Sequence, residues 1–156
     1  MFGETLLLLR GEFLHGIAIP YPVLAVRLAG ALVLCGLIGW EREAGHHSAG
    51  FRTHILVGLG AATFALVTLH IVAEFGHRPD TIRMDPIRLI EATTAGVGFL
   101  AAGMVVLSRG RVRNLTTSAG MWLAAAVGLS CGLGLWPLAL TAAGLTIAVN
   151  ALTWLR

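Results

Sequence analysis

The stretch AGFRTHILVGLGAATFALVTLHIV, Ala49 to Val72, decides the fold. Arg52, Thr53 and His54 stand side by side, and no formally charged residue follows until Glu74. About 20 consecutive apolar residues, rising 1.5 Å each, cross the roughly 30 Å hydrocarbon core of a bilayer. The segment therefore reads as a membrane-crossing helix whose wet end carries the Arg-Thr-His triplet. What that triplet does is the functional question.

The same pattern recurs on either side of it. The spacing predicts spans at Val23–Trp40, His54–Glu74, Arg88–Leu107, Thr116–Leu133 and Leu135–Leu155, an all-α polytopic bundle of five transmembrane helices. Composition agrees: 56% of the 156 residues are hydrophobic and 12% charged, against about 25% charged in soluble domains. The 20 glycines suit lipid-embedded helices that pack closely. Residues 1–22 form a separate N-terminal segment, because Leu6 to Leu9 is too short to cross and Pro20 and Pro22 precede the first span; an interfacial helix outside the membrane core is expected there. Residues 23–156 form the transmembrane domain. No secretory signal pattern is visible, Glu4 and Arg10 flanking the first leucines.

Arginine placement sets the expected orientation. With the N-terminus outside, the inner side receives Arg42, Arg52, Arg109, Arg111, Arg113 and Arg156, six in all, against five outside or at outer span edges. The densest cluster, SRGRVRN, then lies inside, and the C-terminus is cytoplasmic. The chain has no lysine, and its arginines form no stripe, so nucleic acid is not an expected partner. The link Gly134-Leu135-Trp136-Pro137 reads as a tight, uncharged hairpin with an interfacial tryptophan. Cys35 and Cys131 sit in different spans, separated in depth by about 15 Å at 1.5 Å per residue, so both are expected as free thiols.

Two internal similarities bear on packing. AGFRTHILVGLGAA and RNLTTSAGMWLAAA each place a basic loop and a threonine ahead of an apolar run with spaced small residues, as two helical hairpins related by an axis along the membrane normal would, although glycine-rich membrane hairpins share such features without duplication. In the fourth span Thr116, Gly120, Ala124, Gly128 and Gly132 recur every four residues, a shallow stripe on one face. The third span has Gly96, Gly98 and Gly103 among alanines, so these two helices are expected to form the tightly packed centre.

Three charged clusters are candidate sites. Glu41, Arg42, Glu43, Arg52, Thr53 and His54 bracket the first inner loop. Structurally, Glu41 or Glu43 ties to Arg52 and Thr53 caps the second helix; functionally, the same rigid loop docks a partner, a lipid headgroup or a cation. Asp85, Arg88 and Glu91, three residues apart, open the third span, with Asp85 as cap and Pro86 at the first helical position. Glu91 lies about a turn inside the apolar run, where a carboxylate either pairs with Arg88 or serves an ion path. Arg109, Arg111 and Arg113 beside Thr116 and Thr117 set topology or hold a lipid phosphate. His70 and Asn150 read as interhelical hydrogen-bond partners. Adjacent His46 and His47 have no cysteine at zinc-ligand spacing, and one Glu does not make a magnesium site. No nucleophile with its base and no phosphate-cradling loop appears, so no catalytic residue, metal centre or cofactor is expected.

The blocks GWEREAGHHSAGFRTHILVGLGAATFAL, DPIRLIEATTAGVGFLAAGMVV and RVRNLTTSAGMWLAAAVGLSCGLGL resemble the three signature blocks of the MgtC/SapB family of bacterial inner-membrane proteins, over about Arg27 to Leu155. The chain departs from the usual pattern at His47, where lysine is common, and at Ala101 and Asn114, where glycine is. The resemblance implies a short form without the ACT-like cytoplasmic domain that many members carry. It also implies a non-enzymatic link to magnesium limitation and virulence, by regulating other membrane proteins including the F-type ATP synthase. The expected partners are the lipid bilayer and either a second copy or another membrane complex. The alternative is a small ion transporter with Glu91 and the inner-loop charges on the path of a cation.

Overall fold

Pro20 and Pro22 start the first helix, their fixed φ suiting a first turn whose N–H groups have no intrahelical acceptor. This helix, α1, runs Tyr21–Ala44. It is followed by α2 (Phe51–Phe75), α3 (Ile87–Met104), strands β1 (Val106–Ser108) and β2 (Arg111–Arg113), α4 (Leu115–Leu133) and α5 (Trp136–Ala151). The structure, a computed structural model, describes residues 5–6, 16–76, 85, 87–108 and 111–152. Most of the expected interfacial helix, the end of the fifth span, and Arg109 lie outside the described residues.

Helices α1 to α4 are each long and apolar enough to cross a membrane. The described part of α5 has 16 residues, about 24 Å. The first helix extends four residues beyond the expected Trp40, which carries Glu41, Arg42 and Glu43 on the helix itself rather than in a loop. The basic segment after the third span is also not plain loop: β1 and β2 pair antiparallel, Val106 opposite Arg113 and Ser108 opposite Arg111. The Asn114 side-chain amide closes the hairpin base by donating to the Met104 carbonyl at 3.0 Å. Asn114 has φ 67°, a left-handed backbone that asparagine adopts more readily than most side-chain-bearing residues.

The core forms around α4. Ala124, Val127 and Cys131 of α4 cluster with Ala31, Cys35 and Ile38 of α1, Ala62 of α2, and Ala139 and Ala143 of α5. The small-residue stripe of α4 packs on α2, which corrects the expectation that it would meet the third span. A Cβ on Gly128 would strike the backbone of Gly58, and one on Gly132 would lie 2.5 Å from the Ala62 carbonyl oxygen. Ala124 faces α1, where the Cys35 thiol donates to its carbonyl at 3.3 Å. Gly96, Gly98 and Gly103 of α3, by contrast, have nothing among the described residues within 4 Å of where a Cβ would stand. Of the 18 residues of α3 only Ala101 is buried. The link from α3 to the bundle is at its hairpin end, where the buried Ser118 hydroxyl donates to the Ala101 carbonyl at 2.8 Å.

Both cysteines are buried and free, as expected. Since Cys35 sits level with Ala124, Cys131 lies seven residues further along α4, a depth offset of about 10 Å rather than 15.

At the opposite end from the hairpin, α4 closes with a Schellman motif. Gly134, at φ 78°, donates to the Cys131 carbonyl, and Leu135 donates to Ser130. Arg27 of α1 reaches this end and donates to the Gly132 carbonyl at 2.9 Å, placing a cation where the helix dipole is negative. Trp136 is half-buried over Gly30, where a Cβ would lie 2.5 Å from its ring, so it packs into the bundle instead of standing free as an interfacial anchor. Also at this end, the Ala18 amide donates to His70 Nδ1 at 3.1 Å.

Candidate functional site

The loop between α1 and α2 is held by backbone proximity before any charge is considered. Gly36 and Gly39 of α1 let the start of α2 approach: a Cβ on Gly39 would sit 2.8 Å from the Phe51 Cα and 2.9 Å from the Gly50 oxygen. Trp40 and Phe51 then meet edge to face, their ring centroids 6.0 Å apart.

Arg42 is the largest buried side chain, 1% exposed. Its Nε lies 3.2 Å from Glu41 Oε2, and Nη1 lies 3.3 Å from His47 Nε2. His47 Nδ1 in turn lies 3.1 Å from the Arg42 carbonyl. A carbonyl only accepts, so Nδ1 carries the proton and the neutral Nε2 accepts from the guanidinium. The arginine is thereby wrapped by the loop that its own backbone begins.

The expected pairing of Arg52 with Glu41 or Glu43 is replaced by this arrangement: Arg52 is exposed and makes no ion pair among the described residues. Thr53 does not cap the second helix. The N-cap position is Gly50, without a side-chain cap of its own, and Glu43 reaches across the loop to accept from the Phe51 amide at 2.7 Å. A carboxylate on the first amides of a helix both satisfies a free N–H and meets the positive end of the dipole. Glu43→Ala is expected to lower stability by about 1 kcal/mol, the typical loss of an N-cap acceptor, with Thr53→Ala costing less; thermal melts of the two variants in one detergent check the order.

His54 is fully buried. Its Nδ1 donates to the Gly50 carbonyl at 2.8 Å, and Nε2 points at Gly120 of α4, where a Cβ would stand 3.3 Å away. Thr117, one turn earlier on α4, is also buried, whereas Thr116 is exposed. The first and third clusters of the sequence thus meet through His54 and the start of α4. Asp85, Arg88 and Glu91 do not join them. Asp85 accepts from the Ile87 amide at 3.0 Å, capping α3, and Arg88 and Glu91 are both exposed and form no ion pair with each other. Among the described residues no group of three His, Cys, Asp or Glu is placed to hold a metal ion.

The sequence profile of the MgtC family matches residues 28–155. The chain belongs to the MgtC family. Relatives include Protein MgtC of Brucella abortus, 41% identical over 133 residues, which are 85% of this chain and 52% of that protein. The putative magnesium transporter YhiD of Escherichia coli K12 is 36% identical over 124 residues, 80% of this chain and 57% of the relative. Protein MgtC of Salmonella typhimurium is 36% identical over 127 residues, 81% and 51% of the two chains. The chain thus spans about half the length of the curated relatives it matches. No solved structure matches it significantly. With four helices fit to cross a bilayer, this MgtC-family chain is a membrane protein.

Sequence reasoning named Glu43 and Arg42 without their roles at this end, and missed Ser118. Glu43 acts as a cap eight residues ahead of its acceptor amide, a tertiary contact with no local signature. Ser118 bridges to α3 from a position that looks like any small helical residue. Buried Arg42 had a signal: a helix that starts at a proline and continues past Trp40 carries the next turn, Arg42 included, back under the loop.

Proposed function

We propose that this MgtC-family chain is a non-enzymatic regulator in the bacterial inner membrane, acting by intramembrane helix association in the response to magnesium limitation. Its N-terminus is outside and its C-terminus cytoplasmic, so the loop around Arg42 and the β-hairpin face the cytoplasm. The observation that carries this reading is the state of α3, where a Cβ on Gly96 or Gly103, which share a face, would meet nothing within 4 Å among the described residues, although small residues in lipid stabilise chiefly by letting a second helix approach. That surface suits a helix of another membrane complex. The end of α1 and the start of α2, held rigid by buried Arg42 and His54, offer a docking surface through exposed Glu43 and Arg52.

Gly96→Leu combined with Gly103→Leu tests the reading. Both positions are open, so the variant should insert and melt as the unsubstituted protein does, yet lose the complex recovered in mild detergent and lose growth support at low magnesium. A double variant that keeps both would overturn it.

A second reading is transport. It rests on Glu91, a carboxylate about one turn inside α3 and exposed on its flank, and on the name of the Escherichia coli relative, a putative magnesium transporter. Cation flux through the purified chain in vesicles, abolished by Glu91→Gln, would establish it in place of regulation.

A further inference from the structure

Helices α4 and α5 leave between them an open groove of about 490 Å³, within the range of small-molecule sites. Because the two helices run antiparallel, Thr116 near the start of α4 and Asn150 near the end of α5 stand at the same end, that of the β-hairpin. Deeper in, Leu123 and Leu145 form the walls. Thr146 also lines the groove, but its hydroxyl donates to the Ala142 carbonyl of its own helix at 2.7 Å, so it presents little free polarity. The groove is polar at its mouth and apolar within, the profile of an amphiphile.

The charge beside that mouth is one-sided. Arg113 is exposed, three residues before Thr116. From residue 92 to residue 156 the sequence has four arginines and no Asp or Glu. The carboxylates described at this end of the bundle are already engaged, Glu41 with Arg42 and Glu43 with the Phe51 amide. Nothing of the protein's own neutralises Arg113 among the described ion pairs.

We propose that this groove is a binding site for an anionic phospholipid, one acyl chain lying between α4 and α5 and the phosphate headgroup beside Arg113 and the Thr116 hydroxyl. The bilayer is the source of the ligand, and selectivity for negative headgroups comes from Arg113. An arginine near an anionic headgroup is worth about a fivefold change in binding.

Native mass spectrometry of the full chain, offered phosphatidylglycerol or phosphatidylcholine of the same acyl chains, tests this. Phosphatidylglycerol should be retained preferentially. Arg113→Gln should weaken its retention about fivefold while leaving phosphatidylcholine unchanged, and Ala119→Phe, at an exposed position lining the groove, should weaken both. Equal retention of the two lipids, or undiminished phosphatidylglycerol binding in Arg113→Gln, would overturn the proposal. A photo-crosslinking residue at Leu145 should form adducts with lipid; capture of a second copy or another protein there would also overturn it.

Discussion

Gly128→Leu should prevent the bundle from forming, with little folded protein recoverable from membranes. The added side chain has to occupy the place of the Gly58 backbone, and neither helix can give way alone: α4 is held at the same face by Gly132 against Ala62 and by Cys35 on the Ala124 carbonyl. Overpacking a core costs about 1–3 kcal/mol when flexible side chains absorb it; here backbone meets backbone, so about 3 kcal/mol is the least to expect. Gly128→Ala should already lower the melting temperature sharply. Gly60→Ala is the matched control, because its methyl group meets nothing within 4 Å, and it should melt no lower than the unsubstituted chain. A Gly128→Leu variant as stable as Gly60→Ala would mean that α4 does not sit on α2.

Arg42→Met should be nearly as damaging. The substitution keeps much of the apolar stem but leaves Glu41 without its guanidinium and His47 Nε2 without its donor, at a buried position. Removing one partner of a buried ion pair costs about 3–5 kcal/mol. Adding Glu41→Gln to Arg42→Met should restore part of that loss, since Glu41 then no longer carries the charge that Arg42 faced, and a double-mutant cycle measured by unfolding in detergent reads the coupling. Additive losses would show that Glu41 and Arg42 act independently.

Much of this arrangement was legible in the sequence, for physical reasons that also explain the failures. Spans are readable because hydrocarbon thickness imposes a length, and four of the five expected helices meet it within the described residues alone. The α4 stripe was readable because a period of four keeps small residues on one face. Its partner was not, because Gly58, Ala62 and Ala65 on α2 and Gly96 and Gly103 on α3 carry equivalent small-residue signals, and only tertiary packing selects between them. The choice of Thr53 as cap followed a local rule, whereas Glu43 won because Gly39 brings α1 close enough for its carboxylate to reach the Phe51 amide. The β-hairpin was masked by its arginines, which read as a topology signal and say nothing about strand pairing.

What remains specific to function is the uncovered α3. A helix packed on one side and bare on its glycine face is either lipid-facing or waiting for a partner, and proximity within the membrane separates the two. The most direct measurement is photo-crosslinking in intact membranes from a reactive residue substituted at Phe99, which is 84% exposed on α3, with Val26 on the outer face of α1 as the reference position. Helix association through α3 predicts a discrete protein adduct from position 99, absent from position 26 and lost when Gly96→Leu and Gly103→Leu are added. Lipid adducts alone at position 99, the same as at position 26, would contradict it.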